Sequence, residues 1–330
     1  MPRTAPAISV DGLVKRYGEL EAVRGIEFEV RAGETFGFLG PNGAGKSTTI
    51  NMLCTLARPS AGTALVAGHD VVSERDEVRR NIGLVFQDTT LDGYLTAEQN
   101  LRLHAELYGM PRQTIPERIR QVMEMVELWE RRSHLVNTFS GGMKRRLEIA
   151  RGLLHSPRVL FLDEPTVGLD PQTRSSIWGY ITRLKREEDI TIFLTTHYMD
   201  EAEFCDRIAI MDQGRIVVLD TPEALKESVG KDRVQIHTAD DHATIDALRE
   251  RFGIEARMAE GAVTFGVPGG EEFVPRLFDD WDPAHPAIRS VSVARPSLDD
   301  VFMAYTGTTI RDAEASSTDQ MRNVAKMLSR

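Results

Sequence analysis

Short runs of apolar and β-branched residues alternate with stretches of helical period along most of this chain. Residues 26–30, 35–39, 63–67, 82–86, 159–162 and 191–195 are the predicted strands, because such side chains suit a pleated, half-buried surface. Val159, Leu160, Phe161 and Leu162 are apolar without a break, the pattern of a central strand covered on both faces. Residues 207–211 and 215–219 form a predicted hairpin, with Gln213 and Gly214 as its turn. Strands alternating with helical segments predict an α/β domain with a largely parallel sheet.

From about residue 89 to 156 the pattern is helical throughout. Ile119, Val122, Met123 and Val126 recur at i, i+3, i+4 and i+7 and define one buried face, core packing rather than a cofactor contact. This stretch reads as a helical subdomain inserted into an α/β domain of residues 1–220. Thr221 and Pro222 then have the chemistry of a helix start, an N-cap followed by proline at the first helical position. A second alternation follows: strand 233–237, helix 244–252, strand 262–267, helix 271–281, strand 288–293. It predicts a small C-terminal α+β domain over residues 221–306, accessory or regulatory, and then a polar, mobile tail over 307–330.

Composition narrows the partners. A formal net charge of −10 argues against nucleic acid as a main partner, which a basic surface would favour. The basic run from Lys144 to Arg146 reads as a solvated helix face. Two cysteines, Cys54 and Cys205, sit in apolar surroundings and are expected to be buried thiols. The eight histidines include no HExxH or HxH cluster. The first ten residues have no apolar core of a secretory signal, and no run of about 18 apolar residues would span a bilayer, so a soluble chain is expected.

The chemistry begins at GPNGAGKS, which follows a predicted strand and opens a predicted helix over residues 47–55. In that context the loop is a phosphate cradle: its glycines let backbone N–H groups turn inward, and the helix N-terminus adds positive potential. Gly40, Pro41, Asn42, Gly43, Ala44, Gly45, Lys46, Ser47 and Thr48 are therefore the predicted triphosphate-binding residues. Lys46 would reach the β- and γ-phosphates, and the Ser47 hydroxyl would take a Mg²⁺ position. Asp163 ends an apolar strand, so its carboxylate emerges beside the loop as a second Mg²⁺ ligand, while Glu164 is placed as general base for an attacking water.

With FSGGM at residues 139–143 and LFLDEP at 160–165 between the same flanks, the chain resembles the nucleotide-binding subunit of an ATP-binding-cassette (ABC) transporter. The resemblance implies a P-loop NTPase ABC cassette over about residues 7–220, with ATP and Mg²⁺ as its ligands. Tyr17 resembles the aromatic that stacks on adenine. Gln87 resembles the glutamine that touches Mg²⁺ and the attacking water and links the site to the membrane partner. Ser140, Gly141 and Gly142 match the signature whose hydroxyl and N–H groups bind a γ-phosphate held by the other subunit. Met143 departs from the family's usual glutamine and marks a subgroup. Gly168, Leu169 and Asp170 resemble the loop that crosses the dimer interface, and His197 resembles the histidine on the γ-phosphate. The implied catalytic set is Glu164, His197, Lys46 and Gln87; the implied metal ligands are Ser47, Gln87 and Asp163.

RPSLDDVFMAYTG, at residues 295–307, resembles the end of drug-export ATPases of the daunorubicin-resistance type. That resemblance implies a second copy of the chain as dimer partner, a separately encoded transmembrane permease, a place on the cytoplasmic face of the cell membrane, and export of a drug-like or lipid-like cargo. The rival reading is a soluble ABC-family ATPase for translation, repair or assembly. Translation factors of that kind carry two cassettes, and repair types carry long coiled coils; neither is present.

Overall fold

The computed structural model describes residues 5–307 except 189, 260, 283 and 284. The chain forms two compact units that divide between Thr221 and Pro222.

In the first unit, β1 (Ile8–Tyr17), β2 (Leu20–Val30), β4 (Ala61–Val66) and β5 (His69–Asp70) make an antiparallel sheet in the order β2-β1-β4-β5. The second sheet has the order β10-β9-β3-β8-β7-β6. Its strands are β3 (Thr35–Leu39), β6 (Ile82–Val85), β7 (Val159–Asp163), β8 (Thr191–Thr196), β9 (Arg207–Asp212) and β10 (Arg215–Asp220). All neighbours pair in parallel except β9 with β10. Gln213 and Gly214 turn this last hairpin with φ of 45° and 79°, the paired left-handed conformations of a type I′ turn.

Every residue of β3, β7 and β8 is buried, as the unbroken apolar run predicts for β7. Phe28 of the antiparallel sheet packs among Phe36, Phe38 and Phe193 of the parallel one, with ring centroids 4.9–6.0 Å apart. Burying each ring contributes about 1.5–3 kcal/mol, so this cluster is a principal clamp between the two sheets. β1 and the first half of β2 are absent from the predicted strands. Asp11-Gly12 and Gly25 interrupt their pattern, and the structure absorbs both breaks without ending the strands: Gly12 and Gly25 have φ of 57° and 69°, and the β1–β2 register shifts between Val10 and Leu13.

Helices α1 (Lys46–Leu53), α2 (Arg75–Asn81), α6 (Pro171–Glu188) and α7 (Met199–Ala202) belong to the sheet-bearing part. The inserted helical segment holds α3 (Ala97–Leu107), α4 (Ile115–Met125) and α5 (Gly141–Leu153), with two single turns of 3₁₀-helix at Trp129–Arg131 and Val136–Thr138. A capping box between Thr96 and Gln99 starts α3. The stripe Ile119, Val122 and Met123 is buried on α4, and Val126 continues it at the C-cap.

The second unit opens with α8 (Pro222–Val229). Then follow β11 (Asp232–Thr238), α9 (Asp241–Phe252), β12 (Arg257–Ala259), β13 (Ala262–Val267), α10 (Gly270–Asp280) and β14 (Ile288–Ala294). The order βαββαβ with an antiparallel sheet β12-β13-β11-β14 is a ferredoxin-like split βαβ arrangement. Val234, Ile236, Leu248, Val263, Phe265, Phe273 and Leu277 form its own core. α11 (Leu298–Thr306) closes the described chain and contacts α8. Its start is a capping box, Ser297 with Asp300, a signal present in SLDD that the strand-and-helix pattern passed over. Of the tail predicted over 307–330, all but Gly307 lies outside the described residues. Among the described residues no helix is long and apolar enough to cross a membrane.

Candidate functional site

Four segments far apart in sequence end at one edge because their strands are parallel neighbours. β3 leads into the loop at Gly40, β8 into His197, β7 into Glu164, and β6 towards Gln87. The carboxyl ends of parallel strands are where open α/β sheets hold ligands.

The loop is shaped by what its glycines avoid. A Cβ at Gly40 would lie 2.2 Å from the Met211 carbonyl oxygen, and one at Gly45 would lie 2.6 Å from that of Ala22. Gly45 is also the N-cap of α1, at φ 105°. Larger residues here would push the loop off its bed. Asn42 and Gly43 are exposed, whereas Gly40, Pro41, Ala44 and Lys46 are buried and Ser47 and Thr48 half-buried in the first turn of α1.

Lys46 is folded beneath the loop. Its ammonium donates to the carbonyls of Gly40 (2.7 Å) and Pro41 (3.1 Å) and lies 3.4 Å from Glu164 Oε1. His197 Nδ1 reaches the same Oε1 at 3.4 Å, but off the line of a hydrogen bond, so the nitrogen has no aligned partner. Gln87 Nε2 donates to Glu164 Oε2 at 3.4 Å. The Ser47 hydroxyl donates to Asp163 Oδ1 at 3.1 Å. Glu164, His197, Lys46, Gln87, Ser47 and Asp163 thus meet in one cluster.

Two adjacent carboxylates are tuned in opposite directions. Burial raises the Asp163 carboxyl above its ordinary range, and hydrogen bonds from Thr195 and Ser47 offset only part of that. Burial pushes Glu164 up as well, but the His197 ring and the Lys46 ammonium outweigh it and hold the carboxyl below its ordinary value. The charged form of Glu164, the one that accepts a proton, is the favoured one.

Tyr17 stands apart at the end of β1, half exposed, with Lys15 Nζ 4.8 Å from its ring centre. Ser140 and Gly141 are exposed at the start of α5. The Ser140 hydroxyl accepts the Met143 amide at 3.3 Å as N-cap, and no hydrogen bond among the described residues joins it to the Lys46 cluster. A Cβ at Gly142 would lie 2.4 Å from Thr173 Cγ2, so any larger residue there would have to displace the Thr173 side chain. Asp170 is turned towards its own helix: its carboxylate accepts the amide and hydroxyl of Thr173 at the start of α6, and these bonds lower its pKa. One chain therefore brings the phosphate loop, the carboxylates, Gln87 and His197 together and leaves Ser140–Gly142 outward.

Several residues escape the sequence reading. Thr195 is fully buried; its hydroxyl donates to Asp163 Oδ1 at 2.5 Å and accepts the Glu164 amide at 3.1 Å. Glu201 is likewise buried and accepts the hydroxyls of Thr166 and Thr196. A threonine at the end of an all-buried strand and a glutamate beside apolar neighbours are weak signals that gain meaning only from their partners. The basic run at 144–146 needs correction. Arg145 is 6% exposed and ion-paired with Glu148, and Arg146 donates to Val126 O and Tyr180 Oη, so neither is a solvated charge. Their acceptors come from distant segments that the local pattern does not reveal. Cys54 and Cys205 are free, buried thiols, and burial raises both.

Known proteins supply the remaining comparison. Residues 23–167 match the ABC transporter family, and residues 221–306 match the C-terminal domain of DrrA1-3-like ATP-binding proteins. The chain is 40% identical to the daunorubicin/doxorubicin resistance ATP-binding protein DrrA of Streptomyces peucetius, over 97% of this chain and 98% of that one. It is 36% identical to the linearmycin resistance ATP-binding protein LnrL of Bacillus subtilis, over 92% and 100%. It is 38% identical to the Nod factor export ATP-binding protein I of Ralstonia nicotianae, over 94% and 96%. Among solved structures, cbiO1 from Clostridium perfringens, part of the ABC transporter complex cbiONQ, superposes with a TM-score of 0.64 at 27% identity, over 76% of this chain and 97% of that one. A dimeric ATP-binding cassette, MJ0796, in a post-hydrolysis state with ADP and phosphate, gives 0.59 at 29%, over 65% and 98%. With such identity sustained over nearly the full length of its relatives, the chain belongs to the ABC transporter family as an ATP-hydrolysing subunit of the daunorubicin-resistance type of exporter.

Proposed function

We propose that the working unit is a dimer of this chain in which each ATP is held between two copies. One copy contributes Gly40–Thr48, Gln87, Asp163, Glu164 and His197; the other contributes Ser140, Gly141 and Gly142 to the γ-phosphate. Tyr17 stacks on adenine, and Asp170 lies at the dimer seam. The observation that carries this reading is the split itself: the catalytic groups cluster within 3.4 Å of Glu164, while the Ser140 helix start is exposed and bonded only locally among the described contacts.

Glu164 takes the proton of the attacking water; water oxygen bonds the γ-phosphorus as its bond to the β–γ bridging oxygen breaks, and ADP and phosphate leave. The depressed pKa keeps Glu164 ready to accept that proton. Lys46 exchanges loop carbonyls for phosphate oxygens. Ser47, Asp163 and Gln87 offer hydroxyl, carboxylate and amide oxygens, the hard donor set that suits Mg²⁺, and Ser47 and Asp163 already converge at 3.1 Å. When bound, Mg²⁺ supplies charge neutralisation at the β- and γ-phosphates.

ATP is then a ligand that favours the closed dimer through contacts made by both copies, and hydrolysis removes that preference. The dimer works on the cytoplasmic face of the membrane, docked on a separately encoded permease. The drug resistance and export named for the relatives support a drug-like or lipid-like cargo moved outward. The second unit has an accessory or regulatory role.

The test is Glu164→Gln. ATP binding is retained, turnover falls by about 10²- to 10⁴-fold, and an ATP-trapped dimer accumulates on size exclusion. A wild-type ATPase rate in this variant would remove Glu164 from the base role.

A further inference from the structure

A buried guanidinium ties the exposed half of the site to the catalytic half. Arg145 lies on α5, five residues beyond Ser140, with its side chain inside the protein. All five of its N–H donors are used. Nε donates to Pro165 O; one terminal nitrogen donates to Phe86 O and to Glu148 Oε2 (3.2 Å); the other donates to Asp163 O and Glu164 O (3.1 Å each). Four of these acceptors are main-chain carbonyls, from the two loops that carry Gln87 and Glu164. Glu148, itself 1% exposed, orients the guanidinium and also accepts the Thr90 amide at 2.9 Å, further along the Gln87 loop.

The backbone under this clamp is strained. Glu164 has φ of 46°, a left-handed conformation that costs a glutamate energy and persists only where its surroundings enforce it. Three groups enforce it: Thr195 holds its N–H through both main-chain and hydroxyl oxygens, while Arg145 (3.1 Å) and the Val167 amide (3.3 Å) both donate to its C=O. A shift of α5 at its exposed N-terminus therefore moves the donor set that fixes where the Glu164 carboxylate points.

The geometry points to Arg145 as a positioning residue that couples engagement of Ser140–Gly142 to the placement of Glu164 and Gln87. It does not touch the nucleotide; it acts through the two loops. This rests on the reading of Glu164 as the base. Lysine, with three donors on one atom, cannot replace a planar fork that binds five acceptors.

In the full-length protein, Arg145→Lys is expected to lower kcat by about 10- to 100-fold while KM for ATP stays within about threefold, the pattern of lost placement rather than lost binding. Glu148→Gln, which keeps the shape but removes the orienting charge, falls between this variant and wild type, and it carries the test if Arg145→Lys does not fold. Combined with Glu164→Gln, Arg145→Lys still yields the ATP-trapped dimer, because trapping does not pass through the carboxylate. Wild-type kcat in both Arg145→Lys and Glu148→Gln overturns the proposal. So does loss of the trapped dimer in the double variant, which would make Arg145 a general support of the fold. Failure of the base reading shows separately, as undiminished turnover in Glu164→Gln alone.

Discussion

The Glu164 cluster and the Ser140 segment are built to opposite specifications within one chain. Around Glu164 nearly every polar group is buried and partnered: Lys46, Asp163, Thr195 and Arg145 are each less than a tenth exposed and joined by hydrogen bonds. Around Ser140 the helix start is exposed, and its one described side-chain bond is a local cap. A buried cluster with nearly all its polar groups bonded is held in a narrow range of geometries. The first amides of a helix have no partner within the helix, so an exposed helix start can offer them to an outside ligand. Bonded on one side and open on the other, the site has the form that the proposed dimer requires.

The sharpest way to break this comparison is complementation. Lys46→Met and Ser140→Arg are each expected to abolish ATPase activity. Mixed, they should recover about a quarter of the wild-type rate, since half of random pairs are heterodimers with one of two sites intact. No recovery would return both halves to a single chain.

A smaller contrast lies in how stability and rate part company. Thr195→Val removes the hydroxyl between Asp163 and Glu164, so it should lower kcat about tenfold and cost about 1–3 kcal/mol of stability. Ser140→Ala removes only a local cap, about 1 kcal/mol, yet its ATPase loss should be the larger of the two. Paired melting curves and rates decide it; parallel losses in the two variants would erase the distinction between a built-in and a borrowed half.

The smallest effect separates the paired carboxylates. Glu164 ionises more readily folded than unfolded, so its stabilisation is present above its ordinary value near 4.5 and is lost as pH falls through the lower folded pKa. Asp163 is raised, so its ionisation penalty grows as pH climbs past 3.8 and is complete above the folded pKa. At pH 7, without nucleotide, Glu164→Gln should lower and Asp163→Asn raise stability. Both shifts should shrink as pH falls, as thermal denaturation across an acid pH series would show; shifts of the same sign at pH 7 would refute the opposed tuning.

Much of this protein is written locally. The apolar runs of β3, β7 and β8, the Gln213-Gly214 turn and the α4 stripe declare themselves because burial period and turn chemistry are short-range properties. So do the loop glycines and the carboxylates that end β7. β1 and the first half of β2 were not legible, because a glycine bulge reads like a turn until a neighbouring strand pairs across it. α11 was hidden differently: its Ser297–Asp300 cap is local, but a single turn signal near a polar tail is easily passed over.

What tertiary structure alone decided is which side chains share a space. No spacing in the sequence places Thr195 between Asp163 and Glu164, and nothing in the basic run 144–146 separates a surface charge from a buried one. Arg145 is buried because four carbonyls from two distant segments and one carboxylate of its own helix converge to satisfy it, and desolvation forbids its burial otherwise. The sequence by itself determined most of the elements, the glycine loop and the carboxylate pair, through short-range sterics and hydrophobic period. The parallel sheet order then brought four separated segments to one edge, because only neighbouring strand ends can meet there.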